Sequence, residues 1–275
     1  MSQVWFVTGS SRGLGRAIAE AALADGDQVV ATARRTAHLD GLVEHYGENV
    51  RPIALDVTDP EQVHRAVQEG LDAFGRYDVV VNNAGYADVA AIEDVTLEDF
   101  RAQIDTNFFG VVHVTKAVLP ALRERGSGHI FQVSSLASRF ASPGLSAYQS
   151  AKWAISGFST GLAQEVAPLG IRVTVLEPGA MRTDWAGSSM TIPEVSEPYQ
   201  QTVGQLATMI RSASGQEPTE PHQVARIVRD LAGRDDAPVR LLIGADAYQY
   251  GHEAAKALAE SDEKWRGVTE SASQT

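Results

Sequence analysis

The sequence predicts a single doubly wound α/β domain, a parallel sheet with helices on both faces. Short apolar runs alternate with helix-spaced segments along most of the chain. Runs such as Val4–Val7 are apolar at every position, the mark of strands buried on both sides. No linker or change of composition divides the 275 residues.

Val4–Val7 is the first strand and ends in Thr8-Gly9. Residues 14–23 carry apolar side chains at helical spacing, with Ala17, Ile18, Ala21 and Ala22 on the buried face. Strands are expected over 28–33, 50–55 and 79–81, separated by helices over 39–46 and 61–74. Asp59-Pro60 reads as a cap followed by a first-turn proline. A long buried helix is expected over 107–122, then a strand over 130–133, a helix over 148–167 and a strand over 171–176. Residues of about 184–216, rich in Ser, Thr, Gly and Pro, break the alternation. They read as a lid or binding loop, with a possible helix over 197–211. A helix over 221–231 and a strand over 240–243 follow, then an amphipathic stretch over 252–258. The domain is expected to span 1–260, leaving a polar tail over 261–275 that frays.

Hydrophobic residues make up 44% of the chain and charged residues 21%, an ordinary globular balance. The absence of cysteine excludes disulfides, thiolate metal sites and cysteine nucleophiles. The seven histidines lack ligand spacing, so no metal is expected. A net charge of -12 disfavours nucleic acid and anionic membranes as partners. No apolar stretch approaches the roughly 20 residues of a membrane helix, and Val4–Val7 is too short for a signal-peptide core. A soluble, cytoplasmic protein is expected. Any phosphorylated ligand would need positive charge gathered locally. With only four lysines, arginine must supply most of it.

Between the first strand and first helix lies Thr8-Gly9-Ser10-Ser11-Arg12-Gly13-Leu14-Gly15. Such a turn offers backbone N–H groups beside the positive end of a helix, and glycines let the backbone approach a pyrophosphate. Asn82-Asn83-Ala84-Gly85 ends the fourth strand, and Asn107-Phe108-Phe109-Gly110 opens the long helix. Ser135 precedes Tyr148 by 13 positions, and Lys152 follows it by four. Pro178-Gly179 with Thr183 follows a later strand, and Asp56-Val57 follows the third. Together these resemble the short-chain dehydrogenase/reductase family, whose turn is spaced Thr-Gly-x3-Gly-x-Gly. The matches run in order from residue 8 to 183.

The resemblance implies a Rossmann-type fold and hydride transfer between a nicotinamide cofactor and a carbonyl or alcohol. The proton must come from a side chain. A free tyrosine titrates near ~10, and a neighbouring ammonium lowers that value. Tyr148 and Lys152, i and i+4 on one helix, share a face. By resemblance, Tyr148 donates or accepts the proton and Ser135 holds the substrate oxygen. Lys152 also binds the nicotinamide ribose, and Asn107 holds a water in the proton relay. Ser134 is the neighbouring alternative to Ser135, but adjacent strand residues face opposite ways and the family spacing selects Ser135. The implied cofactor set is Gly9, Ser11, Arg12, Gly13, Leu14, Arg34, Arg35, Asp56, Val57, Asn83, Ala84, Gly85, Tyr148, Lys152, Pro178, Gly179 and Thr183.

An NAD-binding chain would carry a carboxylate at the end of the second strand. Here alanine ends the strand and Arg34-Arg35 follow, with Arg12 near the same spot in the family. NADP(H) is therefore expected over NAD(H), its 2′-phosphate held by arginine. Two rivals are an epimerase or dehydratase of the same family and a dinucleotide-binding redox sensor without turnover. The chain lacks room for the longer substrate domain of the first and keeps the catalytic residues the second would have lost. Met181, Trp185, Met190, Ile192 and Tyr199 either line an apolar pocket under the lid or pack the core. The substrate is expected to be a hydrophobic ketone, aldehyde or secondary alcohol. The resemblance also implies a homodimer or homotetramer through the helices around 107–122 and 148–167.

Overall fold

A computed structural model describes residues 2–185, 187 and 190–273. Its sheet strands are β1 (Val4–Val7), β2 (Gln28–Ala33), β3 (Val50–Ala54), β4 (Val79–Asn82), β5 (Gly128–Val133), β6 (Ile171–Pro178) and β7 (Arg240–Ile243). All pair in parallel, in the order β3-β2-β1-β4-β5-β6-β7. This is a Rossmann-type α/β fold whose strand order reverses at β1, where such sheets open a crevice at their carboxyl ends.

The helices are α1 (Gly13–Ala24), α2 (Asp40–Tyr46), α3 (Pro60–Phe74), α4 (Leu97–Ile104), α5 (Gly110–Arg125), α6 (Ser146–Val166), α7 (Gln205–Ala213), α8 (Pro221–Ala232) and α9 (Ala245–Ser271). Successive strand side chains point to opposite faces, so β1 serves two cores. Trp5 and Val7 pack with Ile18, Leu42 and Val224 on one face. Val4 and Phe6 pack with Val63, Val114 and Leu162 on the other. Each such side chain, fully buried, contributes about 1.5–3 kcal/mol. The Trp5 indole, carrying a donor into that core, meets Asp27 Oδ2 at 2.8 Å. The expected cap forms: Asp59 accepts from the Glu61 and Gln62 amides, Pro60 starts α3, and Gly75 ends it in the left-handed region.

Three segments depart from expectation. The helix expected over 107–122 begins earlier, as α4, and passes through a π turn at Asp105–Phe109 before α5. Thr96 supplies the missed start, its hydroxyl accepting from the Asp99 amide at 3.0 Å. The possible lid helix is broken into a short 3-10 turn (Glu197–Tyr199), a π turn (Gln200–Gly204) and α7. The tail expected to fray from residue 261 is instead helical to Ser271, as the exposed end of α9. Glu263, Lys264, Arg266 and Glu270 in this stretch favour helix, and no proline interrupts it. Among the described residues no helix is long and apolar enough to cross a membrane.

Candidate active site

The glycine turn has the backbone its sequence demands. Gly9 (φ +69°) and Gly13 (φ +57°) are left-handed. At Gly15 a Cβ would lie 2.4 Å from both Asn83 Nδ2 and Gly9 O. The element ending β4 clamps this turn. Thr8 Oγ1 accepts from the Asn83 and Ala84 amides at 2.9 and 3.0 Å, and Asn83 Nδ2 donates to Thr8 O at 2.9 Å and Gly9 O at 3.2 Å. The first turn of α1 carries no acidic residue, so its positive end is free for an anion. Leu14 is buried as packing, while Ser11 is half-buried and Arg12 exposed at the turn. Thr183 sits across from Gly13, 3.6 Å from where a Cβ would stand.

Tyr148 and Lys152 come together on the first turns of α6, both buried. Lys152 Nζ lies 5.4 Å from the Tyr148 ring centroid and donates to Val133 O at 2.8 Å. Burial lowers the ammonium's pKa to about 7. Burial also pushes the Tyr148 phenol up to about 12, with the Ser135 hydroxyl beside it opposing the rise. The sequence expectation was a lowered phenol. Here desolvation of the phenol itself dominates.

Ser134 and Ser135 face opposite ways. Ser134 Oγ donates to Lys152 O at 3.1 Å, on the α6 side. Ser135 Oγ accepts from the Ala137 amide at 3.1 Å at the start of a tight turn, Leu136–Ser138. Asn107 lies in the π turn, a feature that often marks functional sites. Its Nδ2 donates to Tyr86 O at 2.9 Å and Gln103 O at 2.8 Å, and its Oδ1 accepts from the Tyr86 amide at 3.2 Å. Gly85 leaves the space between Asn107 and Lys152 open: a Cβ there would be 2.5 Å from Asn107 Oδ1 and 3.7 Å from Lys152 Nζ.

At the end of β2, Arg34 and Arg35 are exposed, and among the described residues neither makes an ion pair. Arg12 differs: its guanidinium stands 3.9 Å from Asp184, both well exposed. Asp56 Oδ1 accepts from Thr58 N at 3.0 Å and Thr58 Oγ1 at 2.7 Å. Val57 is buried against Gly110. At the end of β6 the Gly179 amide donates to Ile243 O at 3.0 Å, and the Ala180 amide to Asp246 Oδ2 at 2.7 Å. Gly179 is glycine because a Cβ would fall 2.2 Å from that carboxylate.

Four lid residues, Trp185, Met190, Ile192 and Tyr199, gather with Ala87, Val89 and Leu145 around Tyr148. Met181 turns instead to the core against α1 and α8. The lid is strapped down. Asp88 Oδ1 accepts from Thr191 N at 2.8 Å, Asp94 Oδ2 from Ser196 N at 3.1 Å, and Glu93 from Tyr199 OH at 2.7 Å. Sequence reasoning passed over these carboxylates, and over Glu177. That residue is an acidic side chain directly after the apolar Val175-Leu176 at the carboxyl end of its strand, which was the available signal.

The chain matches the family model described as short chain dehydrogenase over residues 3–193. It is 61% identical to "Oxidoreductase BOA17" of Botryotinia fuckeliana over 270 residues, covering 98% of each chain. Among solved structures it resembles a short-chain dehydrogenase from Streptomyces avermitilis, with 39% identity, a TM-score of 0.91, and coverage of 98% of this chain and 97% of that one. It also resembles an alcohol dehydrogenase from Thermococcus sibiricus complexed with 5-hydroxy-NADP, with 29% identity, a TM-score of 0.73, and coverage of 88% and 96%. The chain belongs to the short-chain dehydrogenase/reductase family of oxidoreductases.

Proposed function

We propose that the protein interconverts a hydrophobic ketone or aldehyde and the corresponding alcohol, using NADP(H) in preference to NAD(H). The observation that carries this is the meeting of Tyr148, Lys152 and Ser135 at the carboxyl edge of the sheet, beside the clamped glycine turn. The residues present suit the cofactor: an α1 whose first turn carries no acidic residue, glycines where a Cβ would intrude, and two exposed arginines at the end of β2. The solved relative holding 5-hydroxy-NADP supports the same choice. Bound there, the nicotinamide supplies or takes the hydride.

The side chains do the rest. Ser135 holds the substrate oxygen against the Tyr148 hydroxyl. The phenol, kept protonated by burial, gives its proton to the forming alkoxide in reduction and accepts one in oxidation. Lys152 binds the ribose and relays the proton onward. Asn107 Nδ2 is engaged with Tyr86 O and Gln103 O, while Oδ1 accepts one bond from the Tyr86 amide and keeps a second acceptor position for a relay water. Arg34 and Arg35 take the 2′-phosphate, Arg12 assists at the turn, and Asp56 with Val57 borders the adenine. Pro178, Gly179 and Thr183 flank the nicotinamide side. Trp185, Met190 and Ile192 supply an apolar cover that favours a hydrophobic substrate. The acidic, cysteine-free composition suits a cytoplasmic setting.

Exposed Leu97, Phe109 and Trp153, on and around α4–α6, support association into a homodimer or homotetramer through that face. Light scattering giving a monomer mass would contradict it. The reaction is tested by following NADPH consumption over a panel of apolar ketones and aldehydes, and NADP+ reduction over the matching alcohols. Turnover on at least one pair supports the reading. Tight NADPH binding without turnover on any of them would favour a redox sensor.

A further inference from the structure

One charged group beside the site has no part in the reaction as read above. Glu177 of β6 is 0% exposed. Its Oε2 accepts from Arg139 Nε at 2.7 Å and also from Arg139 Nη2. Its Oε1 accepts from Arg240 Nε at 2.9 Å, from Arg240 Nη2, and from Ser138 Oγ at 2.9 Å. These partners come from two separate pieces of chain, the turn after β5 and the strand β7. Burying a charged group this deeply is poor economy for stability alone, since apolar replacements of buried ion pairs are often neutral or better. What the arrangement does supply is direction.

Ser138 carries that direction toward the reaction. Its hydroxyl proton is shared between Glu177 Oε1 and the main-chain oxygen of Ser135, 2.8 Å away. The same oxygen accepts from the Ser138 amide at 2.9 Å. Ser135 is thus the first residue of a turn whose last residue is tied to a carboxylate locked by two guanidinium groups. The Ser135 hydroxyl is held at its other side by the Ala137 amide, inside that turn. A shift of the turn would swing the hydroxyl relative to Tyr148.

We propose that Glu177 is a positioning residue. Braced by Arg139 and Arg240, it fixes through Ser138 the turn that aims Ser135 at the Tyr148 phenol. This rests on the roles given to Ser135 and Tyr148 above.

The test uses the full-length enzyme and the panel carbonyl it reduces fastest. Ser138→Ala removes the link and leaves the Glu177–arginine cluster intact. It should lower kcat about 10-fold, as small misplacements of reacting groups do, with the KM for NADPH within about twofold because the cofactor site is untouched. In a Ser135→Ala background it should cost almost nothing more, since there is no hydroxyl left to aim. Losses that multiply in the double variant would overturn the proposal. Crystal structures of wild type and Ser138→Ala give a readout independent of turnover. A displaced Ser135 Oγ with an undisturbed Tyr148 supports positioning, and an unmoved Ser135 overturns it. If Ser135→Ala alone reduces the carbonyl as fast as wild type, the assigned reaction fails instead, and the crystal comparison still decides whether Glu177 governs the turn.

Discussion

Trp185 rests against Tyr148, their ring centroids 5.5 Å apart and their planes at 55°. The lid residue is oriented by its own amide, which donates to Thr183 Oγ1 at 3.2 Å. It helps shut water from the phenol, and that desolvation is the main cause of the raised pKa. Alcohol oxidation needs Tyr148 to accept a proton, so its rate should climb with pH. Trp185→Ala uncovers the ring and should move the midpoint of that climb down by about one unit. The pH profile of kcat/KM for the preferred alcohol is the measurement. An unmoved midpoint would show that the lid does not set the phenol's acidity.

Arg34 and Arg35 are the exposed cations at the end of β2. If they take the 2′-phosphate, Arg34→Ala should weaken NADPH binding about 10-fold or more, as loss of a charge-assisted hydrogen bond does. NADH binding should stay within about twofold, since it has no such phosphate. Fluorescence titration with both cofactors separates the outcomes, and parallel losses would point to a general role in folding the crevice.

Lys152 ties stability to pH. Folding lowers its pKa from an ordinary 10.5 to about 7 because burial disfavours the ammonium. Between those values the unfolded chain binds the proton more readily than the folded chain. The contribution of this position to stability is therefore complete above about 10.5 and is lost as pH falls toward about 7. Lys152→Met abolishes the dependence. Its melting temperature, relative to wild type, should be most favourable at and below about pH 7 and should lose ground as pH rises toward 10.5. A difference that stays constant with pH would contradict the buried, weakly basic lysine.

The strands and the glycine turn were legible because their signals are local. Val4–Val7, residues 79–81 and the left-handed glycines need no knowledge of neighbours to read. The start of α4 was missed although its signals are local: Thr96 at the cap, and Leu97, Phe100 and Ile104 at i, i+3 and i+7 in a short segment of eight residues. Strand alternation said only that one of Ser134 and Ser135 can reach the site, and the family's 13-residue spacing chose Ser135; their hydroxyls do take different partners. The phenol's acidity was misjudged because spacing shows that Tyr148 and Lys152 share a face but not that both are desolvated. The Glu177 cluster was out of reach for another reason. Its arginines lie 38 and 63 positions away in sequence, and only the closing of the sheet brings them together.

The central claim is that the Tyr148 hydroxyl moves the proton. Tyr148→Phe removes that oxygen and leaves the ring that packs under the lid. NADPH affinity should stay near wild type, while kcat for the best carbonyl of the panel should fall by about 10²–10⁴-fold. Near-wild-type turnover in a folded, NADPH-binding Tyr148→Phe enzyme would contradict the account.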